Sequence, residues 1–292
     1  MGFFSNLFSK QACIFCEKEV GALSRKKLRD KNYICKECEK NCSAFLDPAA
    51  FDTEYLKQHM EYMKKQNILY SKEFEPIDKK QKDRIVHEGY FGVCFADEIA
   101  MFEVVDPKAD KKNNKELFRY DQIKDYEVYT VNNNSTEQGA KKYSEVGVKI
   151  KMNCQIGPES AGQSDVEKKL AHPYVQELKI LCERNTDSTS SANLIIGHLN
   201  KIFGRASGTV FGSIKESVVG TEHERQGYKA GADALKAFGS MAKAKMTGNE
   251  EDAEKAKENL QQAAESGFAY ATENRSKYTQ VADSVEKRAW GE

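Results

Sequence analysis

Four cysteines near the start of the chain stand in two pairs, and each pair has the spacing of a metal-binding turn. The pairs are Cys13 with Cys16 and Cys35 with Cys38, and 18 residues separate them. Two residues between paired cysteines form a tight turn that lets both sulfur atoms face one point. Two such turns complete the tetrahedral set of four thiolates that zinc prefers. We therefore predict one structural zinc ion, with Cys13, Cys16, Cys35 and Cys38 as its ligands.

Two other kinds of cysteine chemistry use the same residues but fit the sequence less well. A redox-active pair of the thioredoxin type would need a single pair in a larger βαβ setting. The common iron–sulfur proteins use cysteine spacings that differ from this one. A closed set of four sulfur ligands also leaves a metal no open position for catalysis. The basic residues between the pairs, Arg25, Lys26, Lys27 and Arg29, are expected to offset the negative charge of the thiolates.

The segment that contains both pairs resembles a short bacterial zinc-ribbon module of unknown function. Besides the four cysteines, the shared positions are Gly21, Leu23, Arg25, Lys26, Lys27, Leu28, Asp30 and Ile34. Many such modules have glycine after the first pair and after the aspartate, where this chain has Glu17 and Lys31. The resemblance implies metal binding and no particular reaction. It leaves the turn geometry at these two positions open.

Composition narrows the class of protein and the compartment. The 292 residues carry 45 basic and 45 acidic side chains, so the chain lacks the strong positive charge that is typical of nucleic-acid binders. The sequence has no recognisable secretory signal and no run of about 18 apolar residues, and its eight cysteines then indicate a reducing compartment. We therefore predict a cytoplasmic bacterial protein. Association with a membrane surface is the alternative.

Changes in residue pattern divide the chain into five predicted segments. Residues 1–46 are the zinc ribbon with a short amphipathic start, and residues 47–76 are a helical connector. Residues 77–184 are rich in aromatic and β-branched residues, which predicts an antiparallel sheet. A polar linker follows at 185–193, and a helical tail takes up 194–292. The clearest strand alternates Val146, Val148, Ile150 and Met152 with other residues. The predicted fold class is α+β with several domains.

The β-rich segment resembles bacterial pleckstrin-homology-like (PH-like) domains in the stretch LFRYDQIKDYEVY at 117–129. This resemblance implies a bent seven-stranded antiparallel sheet that is closed by a C-terminal helix. A helix predicted from Pro173 to about Arg184 would be the closing helix. The resemblance also implies binding to protein or lipid headgroups rather than chemistry. A small antiparallel sheet that only scaffolds is the alternative.

The helical tail contains one strongly amphipathic stretch, residues 195–218, with a broad apolar face. Four glycines lie on its other side, Gly197, Gly204, Gly208 and Gly212, and the last three have a four-residue spacing that favours close approach by another helix. The last helix is predicted to begin at a cap, Asn249. We predict self-association of the tail as a helical bundle or homo-oligomer. Contact of segments 1–10 and 195–218 with a membrane interface is the alternative.

No catalytic signature occurs in the sequence, which lacks a phosphate-binding loop, a nucleophile elbow and a dinucleotide fingerprint. The five histidines are scattered, so we predict no catalytic residue, no small-molecule substrate and no cofactor beyond structural zinc. The sequence favours a non-enzymatic adaptor or scaffold that binds a protein partner or its own copies. The alternatives are a peripheral membrane-surface protein and a nucleic-acid-binding zinc-ribbon protein that uses the basic run from Arg25 to Arg29.

Overall fold

The computed structural model describes residues 10–106, 114–135, 139–156, 160, 163, 168, 170–203 and 250–291. The chain divides into two compact units, one of residues 1–191 with 281–292 and the other of residues 192–280. The division after residue 191 lies inside the predicted polar linker at 185–193. The finer division into five segments stays a prediction.

The N-terminal region forms two very short antiparallel hairpins. Strand β1 (Gln11–Ala12) pairs with β2 (Glu19–Val20), and β3 (Arg25–Lys27) pairs with β4 (Tyr33–Cys35). The one-turn helix α1 (Lys36–Glu39) follows β4 directly. Hairpins of two or three residue pairs bury too little apolar surface to be stable alone. This region therefore needs support from a metal or from the rest of its unit.

Helix α2 (Thr53–Leu69) fills most of the predicted connector and continues as a π-helical turn at Tyr70–Phe74. Asp52 caps the helix, because its side chain accepts a hydrogen bond from the Tyr55 amide at 3.0 Å. The residues that recur on one side of α2 are buried: Leu56, His59, Met63, Gln66 and Leu69. The helix is thus packed along one whole side within the first unit.

The described part of residues 77–186 contains seven strands in two antiparallel sheets. The first sheet has four strands in sequential order, β5 (Asp83–Val86), β6 (Gly92–Ala96), β7 (Met101–Val105) and β8 (Leu117–Arg119). The second sheet has three, β9 (Ile123–Asn132), β10 (Tyr143–Met152) and β11 (Glu177–Thr186), with β10 at its centre. The predicted alternating residues of β10, Val146, Val148, Ile150 and Met152, are all at most 3% exposed. The structure confirms the mixed α+β class and the antiparallel sheets.

The predicted helix from Pro173 to about Arg184 is wrong, because most of that segment is strand β11. Leu178, Ile180 and Cys182 are buried and alternate with Glu177 and Lys179, whose side chains are exposed. An apolar residue at every second position is the period of a strand. The sequence prediction instead selected a helical subset of the same apolar residues. Pairing with the central strand β10 selects the strand period over the helical one. It provides hydrogen-bond partners for backbone groups along the length of β11.

Two further helices are described, α3 (Ser190–Phe203) and α4 (Glu250–Trp290). Helix α4 is described from Glu250 onward, and the predicted cap, Asn249, lies outside the described residues. At its other end Ala282, Val285 and Ala289 are at most 2% exposed and pack against α2, the π-helical turn and the first sheet. Among the described helices, none combines the length and the apolar content that crossing a bilayer requires.

The predicted amphipathic stretch at 195–218 is described only as far as residue 203. Within α3 its apolar face is buried, since Ile195, Leu199 and Ile202 are at most 3% exposed. Gly197 has no described atom of another residue within 4 Å of the place where a side chain would begin. The predictions for segments 1–9 and 204–218 lie outside the described residues.

Candidate metal centre

Each cysteine pair lies at the end of a short strand, and backbone hydrogen bonds join the two pairs. Cys13 follows β1, and Cys35 is the last residue of β4. The Ile14 amide donates to the Tyr33 carbonyl at 2.9 Å, which fixes the turn of the first pair against β4. Cys35 also caps α1, since its sulfur accepts a hydrogen bond from the Cys38 amide at 3.4 Å. These contacts bring together two pairs that lie 18 residues apart in the sequence.

The four sulfur atoms lie within 4.8 Å of one another, and the sulfurs of Cys16 and Cys35 are 3.7 Å apart. Four sulfurs at about 2.3 Å from a central zinc ion would be about 3.8 Å apart. The Cys16 and Cys35 sulfurs have this separation, and the group as a whole could hold a metal ion. A disulfide needs sulfurs about 2 Å apart, and all eight cysteines are free. Cys13 and Cys35 are buried, whereas Cys16 is exposed. The geometry fits a closed structural site; zinc as the bound metal stays a prediction.

Backbone amides around the sulfurs favour the deprotonated thiolate that metal binding requires. Burial raises the pKa of Cys13, but the amides of Cys35, Phe15 and Cys16 bring it down to about 7. The Cys35 amide lies 3.3 Å from the Cys13 sulfur. Burial and the neighbouring sulfurs raise the pKa of Cys38, because like charges at one point oppose each other. A divalent cation at the centre would remove this opposition.

The basic residues between the pairs have partners other than the sulfurs, which corrects our expectation for them. Lys26 Nζ lies 2.7 Å from Glu39 Oε1 and 3.2 Å from Asp47 Oδ1. Arg29 pairs with Asp52, the capping residue of α2. The Arg25 guanidinium lies over the Tyr33 ring, 4.7 Å from its centroid. Much of the positive charge of this run is therefore balanced locally, and backbone amides are the donors to the sulfurs.

Two residues of the metal-binding segment have the left-handed backbone conformation that glycine adopts most easily. They are Glu17, with φ of 61°, and Lys31, with φ of 72°. Both stand where similar zinc-ribbon modules have glycine. A side chain in this conformation costs about 1 kcal/mol or more, because Cβ approaches the following carbonyl oxygen. The turn geometry that the sequence left open is therefore left-handed at both positions.

A second cluster of polar side chains, the Glu116 cluster, is buried where the metal-binding segment meets the sheets. The Glu116 carboxyl group accepts hydrogen bonds from Ser43 Oγ at 2.5 Å and from the Tyr174 hydroxyl. His172 Nε2 lies 3.4 Å from the same carboxyl group. These four residues are at most 7% exposed. Ser43 follows the cysteine pairs, Glu116 precedes β8, and the other two residues precede β11, so the cluster joins three separate parts of the chain.

Two buried histidines at the Glu116 cluster accept hydrogen bonds from backbone amides. His172 Nδ1 accepts a hydrogen bond from the Val175 amide at 3.0 Å, so in the neutral ring the proton is on Nε2, which faces Glu116. His59 Nε2 accepts from the Ser43 amide at 2.9 Å, and burial lowers the pKa of His59 to about 4. Sequence reasoning missed this cluster, because its members lie far apart in the chain and their spacing has no pattern. Glu116, a charged residue directly before a buried strand, was the one local signal.

Replacing Glu116 with alanine should lower the free energy of unfolding by about 3 kcal/mol. The change leaves the Ser43 and Tyr174 hydroxyl groups buried without their acceptor, and each such loss costs about 1–3 kcal/mol. Urea denaturation of the full chain measures the effect. Glu127 is exposed on β9, and Glu127→Ala is the matched control, with an expected change within about 0.5 kcal/mol. Equal stability of the two variants would contradict a structural role for the cluster.

Comparison with known proteins finds one family. The model of a domain of unknown function (DUF4428) matches residues 11–66. The matched segment includes all four cysteines and most of α2, so it extends beyond the predicted ribbon boundary at residue 46. No curated protein and no solved structure matches the chain. The comparison therefore supports a small cysteine-rich domain that is consistent with a zinc ribbon, and it assigns no activity.

Proposed function

We propose that the chain is a non-enzymatic zinc-binding adaptor that binds a protein partner and associates with its own copies. The observation that carries this proposal is the closed group of four sulfurs at the candidate metal centre. Zinc held by four protein ligands has no position for a substrate or a reactive water, so its contribution is to folding. A structural metal of this kind would make the small cysteine-rich domain rigid, and the surface of that domain would stay available to a protein partner.

We propose further that the β-rich region is a PH-like binding module. Its support is the arrangement of strands, four in one antiparallel sheet followed by three in a second. The end of α4 supports the same proposal, because Val285 and its neighbours Ala282 and Ala289 cover the core beside the first sheet. In this proposal the closing helix comes from the end of the chain and not from the segment after Pro173.

Self-association is proposed for the helical tail. The exposed Leu194 on α3 supports it, since 63% of that apolar residue is accessible. Gly197, one turn further on, leaves open space within the described chain that a helix of a second copy would fill. The nucleic-acid alternative is weakened by the ion pairs of Lys26 and Arg29.

The proposal is tested by measuring metal content and molecular mass on the same preparation of the full chain. We expect about one zinc ion per chain, and a mass in sedimentation equilibrium that is a multiple of 33.0 kDa. Leu194→Glu should shift the mass toward the monomer. Val131→Glu, a change at an exposed apolar residue of β9, is the matched control and should not.

Flotation of the full chain with anionic liposomes at low salt distinguishes the adaptor proposal from the alternative of a membrane-surface protein. The adaptor proposal expects the protein to stay in the soluble fraction, with or without residues 1–10. Flotation that is lost on removing residues 1–10 would favour the membrane-surface protein. A zinc-free chain or a strictly monomeric chain would count against the adaptor.

A further inference from the structure

The four cysteines of the candidate metal centre differ in their access to solvent. Cys13 and Cys35 are 1% and 2% exposed, whereas Cys16 is exposed and Cys38 is intermediate. The four sulfurs nevertheless lie within 4.8 Å of one another, so a change at one of them affects the whole group. A reagent dissolved in water therefore reaches the centre most easily at Cys16.

A second sulfur is close enough to complete a disulfide with Cys16. The sulfur atoms of Cys16 and Cys35 are 3.7 Å apart, and a disulfide bond would bring them to about 2 Å. The Ile14 amide donates to the Tyr33 carbonyl at 2.9 Å, so a backbone hydrogen bond holds the two cysteine pairs side by side. Small movements of two side chains are therefore enough to join an accessible sulfur to a buried one.

The charge of the centre distinguishes between kinds of oxidant. Four thiolates around one divalent zinc ion carry a net negative charge. The basic residues nearby are engaged elsewhere: Lys26 is paired with Glu39. In the same way, Arg29 is paired with Asp52. The negative charge of the centre repels an anionic oxidant such as oxidised glutathione, whereas hydrogen peroxide is small and uncharged.

The turn between β3 and β4 connects the metal centre to the start of helix α2. The Arg29 amide donates to the Phe51 carbonyl at 2.9 Å. The Thr53 amide donates to Asp30 Oδ2 at 3.0 Å, and Asn32 Nδ2 donates to Thr53 Oγ1 at 3.0 Å. Because α2 is packed along one whole side, this turn supports a helix that belongs to the core of the first unit. A change at the metal centre therefore reaches the first turn of α2.

We propose that the candidate metal centre is a modification site for peroxides, with Cys16 as the position of attack and Cys35 as its disulfide partner. The Cys16 thiolate attacks hydrogen peroxide, so that an S–O bond forms, the O–O bond breaks and hydroxide leaves. The Cys35 thiolate then attacks the sulfur of the Cys16 sulfenic acid, forms the S–S bond and displaces a second hydroxide. The two sulfurs together lose two electrons to the peroxide, and the two hydroxide ions take up two protons to become water.

Disulfide formation removes two of the four sulfur ligands, and the two that remain cannot complete a tetrahedral site. Zinc therefore leaves the chain. The short hairpins lose the ion on which their folding depends, and the turn between β3 and β4 loses its fixed position beside α2. The inference rests on the proposed function, because it makes oxidation a means of switching off the binding surface of the zinc-binding adaptor.

The test adds a small molar excess of hydrogen peroxide to the zinc-loaded full chain and follows zinc release with a colorimetric chelator. We expect about one zinc ion to leave each chain, and peptide mass spectrometry to find a disulfide between Cys16 and Cys35. Hydrogen exchange should rise across residues 11–46 and at the first turn of α2. Excess thiol followed by zinc should reverse these changes. Oxidised glutathione at the same concentration should release zinc about tenfold more slowly.

Cys16→His removes the accessible sulfur and keeps a metal ligand, since imidazole replaces one thiolate in many structural zinc sites. In peroxide this variant should release zinc about tenfold more slowly than the unchanged chain. Cys42→Ser is the matched control, because Cys42 is a buried cysteine outside the group of four, and it should release zinc at the unchanged rate. If Cys16→His binds no zinc, trapping with dimedone on the unchanged chain decides, because the first sulfenic acid should form at Cys16.

Four outcomes overturn the inference: zinc that stays bound in peroxide, a zinc-loaded Cys16→His that releases its metal at the unchanged rate, a first sulfenic acid at another cysteine, or release by oxidised glutathione that is as fast. The zinc content before peroxide is added tests the proposed function separately. A chain purified without zinc contradicts the proposed function and the inference together. A zinc-loaded chain that keeps its metal in peroxide contradicts the inference alone.

Discussion

Cys35→Ser should reduce the zinc content of the purified chain from about one ion per molecule to near zero. Cys35 is 2% exposed, and its sulfur has two roles. It is a predicted zinc ligand, and it caps α1 by accepting a hydrogen bond from the Cys38 amide. Structural zinc contributes about 10 kcal/mol or more to the folding of small zinc domains, which exceeds what two short hairpins can supply. We therefore expect hydrogen exchange across residues 11–46 to rise to the rate of an unfolded segment. Elemental analysis and exchange mass spectrometry measure the two effects.

Cys42 offers a matched control for this experiment. It lies seven residues after Cys35 and is buried at 5% exposure, but its sulfur lies outside the group of four. Cys42→Ser should therefore keep the zinc content and leave exchange across residues 11–46 nearly unchanged. If Cys35→Ser retained its zinc, or if both variants lost it, the assignment of the four ligands would be wrong.

Arg119→Ala should lower the free energy of unfolding by about 3–5 kcal/mol, because it breaks a buried charge network. The Arg119 side chain is 10% exposed and contacts Asp121 at 2.7 Å, Asp283 at 2.7 Å and Glu286 at 2.9 Å. The Asp121 side chain is fully buried, so the substitution removes a cation that offsets a carboxylate in the interior. Burial lowers the pKa of Arg119, but the surrounding carboxylates outweigh it and raise the pKa. Urea denaturation measures the loss.

A lysine at this position should recover only part of the stability, since one ammonium group cannot reproduce the forked contacts of a guanidinium. Arg184 provides the control, because it forms an ion pair with Glu145 at 3.3 Å that is open to solvent. The Arg184 side chain is 56% exposed. Arg184→Ala should cost less than about 1 kcal/mol. Equal losses for Arg119→Ala and Arg184→Ala would show that the buried network does not fix the end of α4.

The features that the sequence predicted correctly depend on residues that are close together along the chain. The two cysteine pairs were recognised from a spacing of three positions, and the structure brings their sulfurs together. The strand from Val146 to Met152 was recognised from its alternation, and its apolar side is buried. In each case local backbone geometry alone links the spacing to the structure.

Other features were decided by the tertiary structure, because they depend on contacts between residues that are far apart in the sequence. The apolar residues between Pro173 and Arg184 allow both a helical and a strand period, and pairing with β10 selects the strand. Glu116 meets Ser43 and His172 across 73 and 56 residues of chain, and Arg119 meets Glu286 across 167. No local pattern encodes such contacts, because they form only when distant elements pack and leave buried polar groups that must find partners. The sequence by itself determined which four cysteines form a cluster and which region forms the sheets, and packing determined which distant side chains meet in the interior.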